Sequence, residues 1–573
     1  MPNRIERGDL GRNRARGPAA VVSLLMAIVA GCDENTEAPP PASPVSWFDE
    51  CAAERGLAFA HQSGHRETYL MPQIMGGGAA LFDMDGDGDL DAYLVQSGSL
   101  DDQAAPQPGN QLFRNLGDGV FEDVSTGSGA DDRGYGMGVA TGDFDNDGDV
   151  DLYVTNVGPN VLLRNDGGGR FTDVTSTAGV GHAGWGASAV FLDYDNDGDL
   201  DLFVTNYLNW SAASEIDCLN SVTGTPDYCS PQSYRAPAVD VLYRNDGDGR
   251  FSDVTAASGI DQGVGTGLGV VAGDFNQDGW TDIFVANDGM RNQLWINQGD
   301  TTFVDQALLA GCALDYEGRP KAGMGVTAAD IDDDGDLDLL VCNLDRQSDS
   351  FFMNQGNYFI DRTSVSGLAA VNRSFTRFGM AWLDFDNDGL LDLYQVNGRV
   401  RRDPRQFRPD DPFAEPNLLM RGVGSARFQE QLPRGGTEDL LVATSRAAAF
   451  GDIDNDGRID ILIVNRDAAA HLLRNITPDD GHWIMFRVVD LHGRDAIGAT
   501  VTAMLPDRTI HRDVRTAYSY LAANDPRVHL GLGPHEKVQD VTVRWIDGTV
   551  ERFGAQEADQ IVTLRRGEGE PDP

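Results

Sequence analysis

Aspartates recur at alternate positions in seven short segments of this chain, and that spacing suits one chemistry: gathering oxygen ligands around a hard cation. The segments follow Asp-x-Asp-x-Asp-Gly-x-x-Asp with one substitution and start at Asp83, Asp143, Asp193, Asp274, Asp330, Asp384 and Asp452. In the first, Asp83, Asp85 and Asp87 each offer a carboxylate oxygen, Asp89 its backbone carbonyl, and Asp91 a closing carboxylate. The same roles fall to Asp143, Asp145, Asp147, Asp149 and Asp151, and to Asp193, Asp195, Asp197, Asp199 and Asp201. They fall again to Asp274, Asn276, Asp278, Trp280 and Asp282, and to Asp330, Asp332, Asp334, Asp336 and Asp338. The last two sets are Asp384, Asp386, Asp388, Leu390 and Asp392, then Asp452, Asp454, Asp456, Arg458 and Asp460. Only the main-chain carbonyl is required at the seventh position, so Trp280, Leu390 and Arg458 serve there.

Calcium accepts about 6–8 oxygens in flexible geometry, whereas magnesium demands a stricter octahedron, so the loops predict calcium, up to seven ions. Glycine after the third acid lets the chain turn tightly around the ion. An EF-hand would need a bidentate Glu at position 12, where this chain has Leu94, Val154, Val204, Val285, Val341, Gln395 and Ile463. Without an ion, four or five carboxylates in one loop repel one another. The fourth loop, with Asn276 and Gln277, carries the least charge and should bind most weakly.

The elements that must position these loops are also repeated. A Phe-x-(Asp/Glu) pattern occurs at Phe48, Phe121, Phe171, Phe251, Phe303, Phe359 and Phe428, and a third unit reads Leu112-Phe113-Arg114-Asn115, Leu162-Leu163-Arg164-Asn165, Leu242-Tyr243-Arg244-Asn245 and Leu472-Leu473-Arg474-Asn475. The loops lie about 60 residues apart, longer than common propeller blades of about 40–50. No Phe unit follows Asn475, and no loop precedes Phe48. A circular array resolves both, with the strand at Phe48 completing the blade begun at Asp452, whereas an open solenoid needs capping units. Short β-prone runs such as Val150 to Val154 follow the loops, and small-residue runs such as Gly136-Met137-Gly138-Val139-Ala140 precede them. The expectation is an all-β chain with a seven-bladed β-propeller.

The whole chain has 573 residues with 90 acidic against 44 basic, a formal charge of -46. That excludes a phosphate backbone as partner, so no nucleic acid, and disfavours acidic lipid surfaces. Cations, basic proteins and neutral glycans remain. Arg4, Arg7, Arg12, Arg14 and Arg16 precede the apolar run Ala19 to Ala30, which reads as a signal peptide over 1–31. Its end, Val29-Ala30-Gly31-Cys32, resembles the bacterial lipobox, which implies lipidation of Cys32 and a membrane-anchored lipoprotein in the periplasm or at the cell surface. A Pro-rich tether, 32–45, follows. Cys218 and Cys229, in a Ser/Thr/Pro-rich insertion, are the disulfide candidates for an oxidising compartment. Cys312 with Cys342 is a weaker second pairing, and Cys51 reads as a buried thiol.

The loops resemble the FG-GAP calcium repeats of integrin alpha-chain propellers and the related VCBS-type repeats, over about 46–476. That resemblance implies a propeller stiffened by calcium on one rim and binding partners with the opposite rim or top face. After Asn475 the segments Gly481-His482-Trp483-Ile484, Ala496-Ile497-Gly498-Ala499, His529-Leu530-Gly531-Leu532-Gly533 and Val543-Arg544-Trp545-Ile546-Asp547-Gly548 look like the ASPIC/UnbV domain. Ile546 stands where that family has proline. Short strands there predict a small β-sandwich over 477–566, with a disordered tail at 567–573. This arrangement resembles the cartilage acidic protein 1 family and its bacterial relatives, which implies extracellular, calcium-binding, adhesion-type roles and no established reaction.

Candidates for catalysis are few. His61 and His65, with Arg66, Glu67 and Tyr69, form the densest polar group outside the loops, and their bland reading is surface or blade-edge hydrogen bonding. His529 reads as structural. No Gly-x-Ser-x-Gly elbow occurs, and the paired carboxylates belong to the loops. The insertion from Tyr207 to Asp240, with Trp210, Tyr228 and Tyr234, is either a binding surface or a disulfide-braced plug over one face. Two functions follow: a monomeric, non-catalytic binding module for a protein or glycan ligand outside the cytoplasm, or an extracellular enzyme on polysaccharide or lipid with the propeller as scaffold.

Overall fold

The computed structural model describes residues 45–66, 68–100, 106–478 and 481–572. The leader, Cys32, Glu67 and nearly all of the tether lie outside the described residues.

The repeats fold as seven antiparallel four-stranded units. In the second, Gly136–Gly142, Asp151–Pro159, Val161–Asn165 and Phe171–Asp173 follow one another across the sheet. The Asp-rich segment is the hairpin between first and second strands, and its ninth residue opens the second strand: Gly142 pairs with Asp151 just as Phe82 pairs with Asp91. The Phe of the Phe-x-(Asp/Glu) pattern pairs with the third-strand Asn in six units, as Phe171 does with Asn165, and with Gly422 in the sixth. The seventh unit draws its fourth strand from the start of the array: Phe48–Glu50 pairs with His471–Asn475, Phe48 opposite Asn475.

First strands are rich in Gly and Ala because they lie against one another. Each first strand packs on the next in chain order, and the seventh, Ser445–Gly451, packs on the first, Ala79–Phe82. Gly269 shows the need: a Cβ there would stand 2.3 Å from the Met324 carbonyl oxygen. Outward from this crowded centre, Phe, Tyr and Trp side chains fill the spaces between sheets, as Tyr194, Trp295 and Phe303 do between the third and fourth units.

The C-terminal region forms two sheets around one apolar core that includes Ile484, Phe486, Val501, Leu530, Val541 and Trp545. One has His482–Val489 between Val528–Gly533 and Gln560–Arg565; the other has Thr509–Asp513, Thr500–Met504, Lys537–Arg544, Val550–Glu557 and Glu570–Pro571 in that order. The tail expected to be disordered from 567 instead adds Glu570–Pro571 to this sheet edge, opposite Glu551 and Arg552. The Glu551 carboxylate holds it by accepting from the Gly567 and Gly569 amides.

Part of this region leaves its own core. The segment around Thr516 to Asp525 runs among the first strands of the repeats, where Ala522–Ala523 pairs in parallel with Ala79 and Ala80. Ser519 exchanges backbone hydrogen bonds with Val326 at 2.8 and 3.0 Å, and its hydroxyl donates to the Ala448 carbonyl at 2.8 Å. Leu521 N donates to Ser188 Oγ, and Asn524 Oδ1 accepts from Phe450 N. Tyr520 and Leu521 are fully buried there, in the same core as Met75, Met137 and Phe378. The segment therefore fills the centre of the repeat array.

Candidate metal centres and the opposite face

Each Asp-rich hairpin is shaped by its own carboxylates. At all seven loops the amide of the sixth-position glycine donates to Oδ2 of the first Asp, as from Gly88 to Asp83 at 3.1 Å and from Gly457 to Asp452 at 2.8 Å. The seventh-position amide donates to Oδ1 of the fifth, as from Asp89 to Asp87 at 2.9 Å. The fourth position takes left-handed backbone, with φ of 61° at Asn146 and 76° at Gly86, which explains Asn and Gly there. The ninth Asp anchors the hairpin on both sides: Asp91 accepts from Met84 N and Asn115 N, each at 2.8 Å.

The oxygens left over converge. Carboxylate atoms of Asp83, Asp85 and Asp91 lie within 4.8 Å of one another, as do those of Asp143, Asp145 and Asp151, of Asp193, Asp195 and Asp197, of Asp330, Asp332 and Asp334, and of Asp384, Asp386 and Asp392. Oδ1 of the third-position Asp85, Asp145, Asp195, Asp386 and Asp454 is buried without a hydrogen-bond donor, as is Oδ1 of Asp193 and Asp384. A buried acceptor with no donor is costly, and a hard cation is the partner that satisfies several at once. These residues fit a metal. In the fourth loop Asn276 Nδ2 donates to Asp278 Oδ2 at 2.8 Å, so that loop partly satisfies itself.

Burial and the neighbouring acids hold these carboxyls above the usual range. Asp143, Asp193 and Asp330 are pushed up to about 6 and Asp452 to about 7, burial being the larger cause in each. Asp91, Asp282 and Asp338 reach about 8. Arginines offset part of this charge: Arg114 lies 3.0 Å from Asp85, Arg421 2.7 Å from Asp386, and Arg474 2.6 Å from Asp454.

Two further residue sets act on the loops, and neither was assigned a role from sequence. In six of the seven units the third-strand Asn staples its loop to the one before it. Asn165 Nδ2 donates to Met84 O at 2.8 Å, Asn245 to Phe144 O, Asn297 to Tyr194 O, Asn354 to Phe275 O and Asn475 to Phe385 O. Asn115 donates to Ile453 O, which joins the first unit to the seventh loop. The signal was the Asn that ends the third unit, preceded by Arg in four of the seven repeats. The C-terminal domain supplies the second set by covering the loop side. Arg494 donates to the carbonyls of Asp143 and Gly198, Arg512 to that of Asp330, and Arg527 to that of Asp452 at 2.8 Å. Arg487 and Arg544 approach Asp83 and Asp274, each at 3.9 Å, and Gly533 N donates to Asn387 O at 2.9 Å. Every loop is touched. The available clue was arginine density after Asn475, against an acidic repeat array.

At the other end of the first strands, His61 and His65 come together with the insertion. His61 is buried, its Nε2 is 2.9 Å from Ser97 Oγ, and burial lowers it to about 4, so it is neutral. His65 Nδ1 is 3.0 Å from Tyr228 Oη, which also accepts from Arg466 at 3.2 Å. Tyr69 packs edge-on against Tyr228, and Arg66 is exposed. Trp210 donates to Glu215, which also takes the Tyr234 hydroxyl hydrogen bond. Cys218 and Cys229 are bonded to each other. Cys312 and Cys342 do not pair and are buried free thiols, as is Cys51. Cys312 Sγ lies against its own turn, at Ala307 O, while Cys342 Sγ faces Met380 Sδ. His529 Nε2 donates to Gly457 O, 3.1 Å away, beside the seventh loop.

A model of FG-GAP-like repeats matches residues 83–154, 143–204, 223–285, 274–341 and 330–394, and a model of the ASPIC and UnbV domain matches 490–571. Cartilage acidic protein 1 of Mus musculus is 27% identical over 302 residues, covering 52% of this chain and 44% of that protein. The Xenopus tropicalis protein is 28% identical over 308 residues, with coverages of 52% and 44%. The chain thus matches less than half the length of these curated relatives. Among solved structures, an Agrocybe aegerita lectin recognising non-reducing terminal N-acetylglucosamine aligns at a TM-score of 0.34 and 16% identity, over 68% of this chain and 86% of the lectin. A Bacillus licheniformis rhamnogalacturonan lyase aligns at 0.37 and 13%, over 70% and 72%.

Proposed function

The chain belongs to the FG-GAP-like repeat family and carries an ASPIC and UnbV domain behind the repeats, and on that premise we propose that it is an extracytoplasmic, calcium-binding, closed seven-bladed propeller that serves as a non-catalytic binding module for a protein or glycan. The observation that carries the metal part is the set of buried third-position oxygens without donors, repeated in five loops. Closure is supported by the strand Phe48–Glu50 in the seventh sheet, and by Asn115 on Ile453 and Asn455 on Asp89 across the same junction.

In this reading calcium supplies the positive charge the converged carboxylates lack, while the loop amides and the Asn staples hold the oxygens in place before the ion arrives. With the loops covered by the C-terminal domain, the face at the other end of the first strands is left to bind a partner. The Cys218–Cys229 bridge suits an oxidising compartment, and Cys32 is the proposed lipid anchor.

Calorimetry with calcium tests the metal. A ligand bound only to the native state adds about 2.7 kcal/mol per site at a hundredfold excess over Kd, so several sites should raise the melting temperature steeply. No bound ion and no shift would overturn the assignment. Glycan-array and pull-down binding in calcium, lost in EDTA, tests the binding role.

A further inference from the structure

A second site lies on the face opposite the loops. A cavity of about 270 Å³ opens there, walled by Met71, Met75, Met324, Phe378, Leu344 and Val400, with the insertion's Cys229 and Gln232 along one side. Opposite this apolar wall the lining is polar, with Ser230, Gln232 and Gln347, and Asp288 is its one carboxylate. Asp288 is 9% exposed, and its Oδ2 accepts from Tyr207 Oη at 2.7 Å. The other oxygen, Oδ1, accepts no hydrogen bond from any described residue, and no described Lys or Arg lies within ion-pair distance of Asp288. Arg401 lines the same cavity from its exposed rim.

A carboxylate can accept about four hydrogen bonds, and the one from Tyr207 leaves Asp288 Oδ1 with free acceptor capacity at the cavity wall. Pockets that bind small molecules combine such an apolar wall with a few converging polar groups. The missing partner is therefore a donor with positive charge, carried on an apolar body that fits the methionine wall. The chain's charge of -46 also favours the approach of a cation.

We propose that this cavity binds a small organic amine, its ammonium on Asp288 and its apolar part among Met71, Met75 and Met324. Tyr207 fixes the carboxylate's orientation, and Arg401, as the nearest competing cation, limits affinity. The proposal deepens the reading of this face as the binding face and does not depend on which ion fills the loops.

The probe is phenethylamine, with 2-phenylethanol as its neutral counterpart, titrated in excess calcium so that the loops are loaded. Saturable binding of the amine is expected, weakened about tenfold or more by Asp288→Asn and by the change to the alcohol, and unchanged or tightened by Arg401→Ala. The ¹³C-methyl resonances of Met71, Met75 and Met324 in the unaltered protein should move with the amine, a readout that stands even where Asp288→Asn fails to fold. Non-saturable binding, equal binding to a folded Asp288→Asn, or methyl resonances that stay put would overturn it. The calcium-dependent shift in melting temperature tests the metal separately, so failure of one is distinguishable from failure of the other.

Discussion

At the scale of single residues, the loops are acids arranged so that they cannot all be charged without help. Asp91, Asp282 and Asp338 are pushed up to about 8 from an ordinary 3.8, first by burial. A raised native pKa means that the native state holds more protons than the unfolded chain, so stability falls as pH rises from about 4 through about 8. In EDTA the melting temperature should drop between about pH 5 and pH 8, whereas saturating calcium, which binds the deprotonated form, should remove or reverse that slope. Calorimetry at the two pH values decides; equal stability in EDTA would mean the carboxylates are better solvated than their burial implies. The fourth loop offers a converse test. Asn276→Asp replaces an internal donor with a carboxylate, and isothermal titration should then show the weakest calcium site tightened.

At the scale of elements, the hairpins and the third strands work as pairs from neighbouring sheets. Asn165 Nδ2 donates to Met84 O in the preceding loop at 2.8 Å and to Val150 O in its own at 3.2 Å. Asn165→Ala strands the buried Met84 carbonyl and removes the donor from the part-buried Val150 carbonyl, and should cost about 1–3 kcal/mol, with faster amide exchange in the first and second loops. Exchange left unchanged there would show that the staple contributes nothing to loop order. The sixth unit has Gly422 in this place, and a Cβ there would stand 2.5 Å from Leu391 O, so no such staple can form. Much of this was legible in sequence. Spacing at fixed intervals exposed the hairpins, because a ligand set must be contiguous to close around an ion, and the small-residue first strands followed from crowding. The Asn was visible as a pattern, but its acceptor lies in another repeat and nothing local names it. The segment from Thr516 to Asp525 was not legible, since a short stretch mixing Tyr, Ser and Ala takes its order from strands hundreds of residues earlier.

At the scale of the whole molecule, the repeat array and the C-terminal domain are one folding problem. Tyr520 is fully buried, edge-on to Phe378 at 4.9 Å, and its hydroxyl donates to Met75 O at 3.3 Å. Tyr520→Ala should cost about 3–5 kcal/mol, as large aromatic truncations in cores do, and should lower a single shared unfolding transition. Two transitions, with that of the repeats unmoved, would show that the domains melt separately. A chain ending at Pro478 should lose cooperative melting, because the centre of the array is then lined by apolar groups with nothing against them. One consequence concerns time. The ribosome makes Phe48 early and His471, Tyr520 and Ala522 late, yet the strand Phe48–Glu50 needs His471–Asn475 and the centre needs Ala522–Ala523. The strand Phe48–Glu50 must therefore wait for His471–Asn475, and the inner faces of the sheets must stay open until Ala522–Ala523 has been delivered. Because chains dominated by such distant pairings fold slowly and expose sticky surface meanwhile, the emerging protein should require an attendant chaperone until its own C-terminus takes over that role.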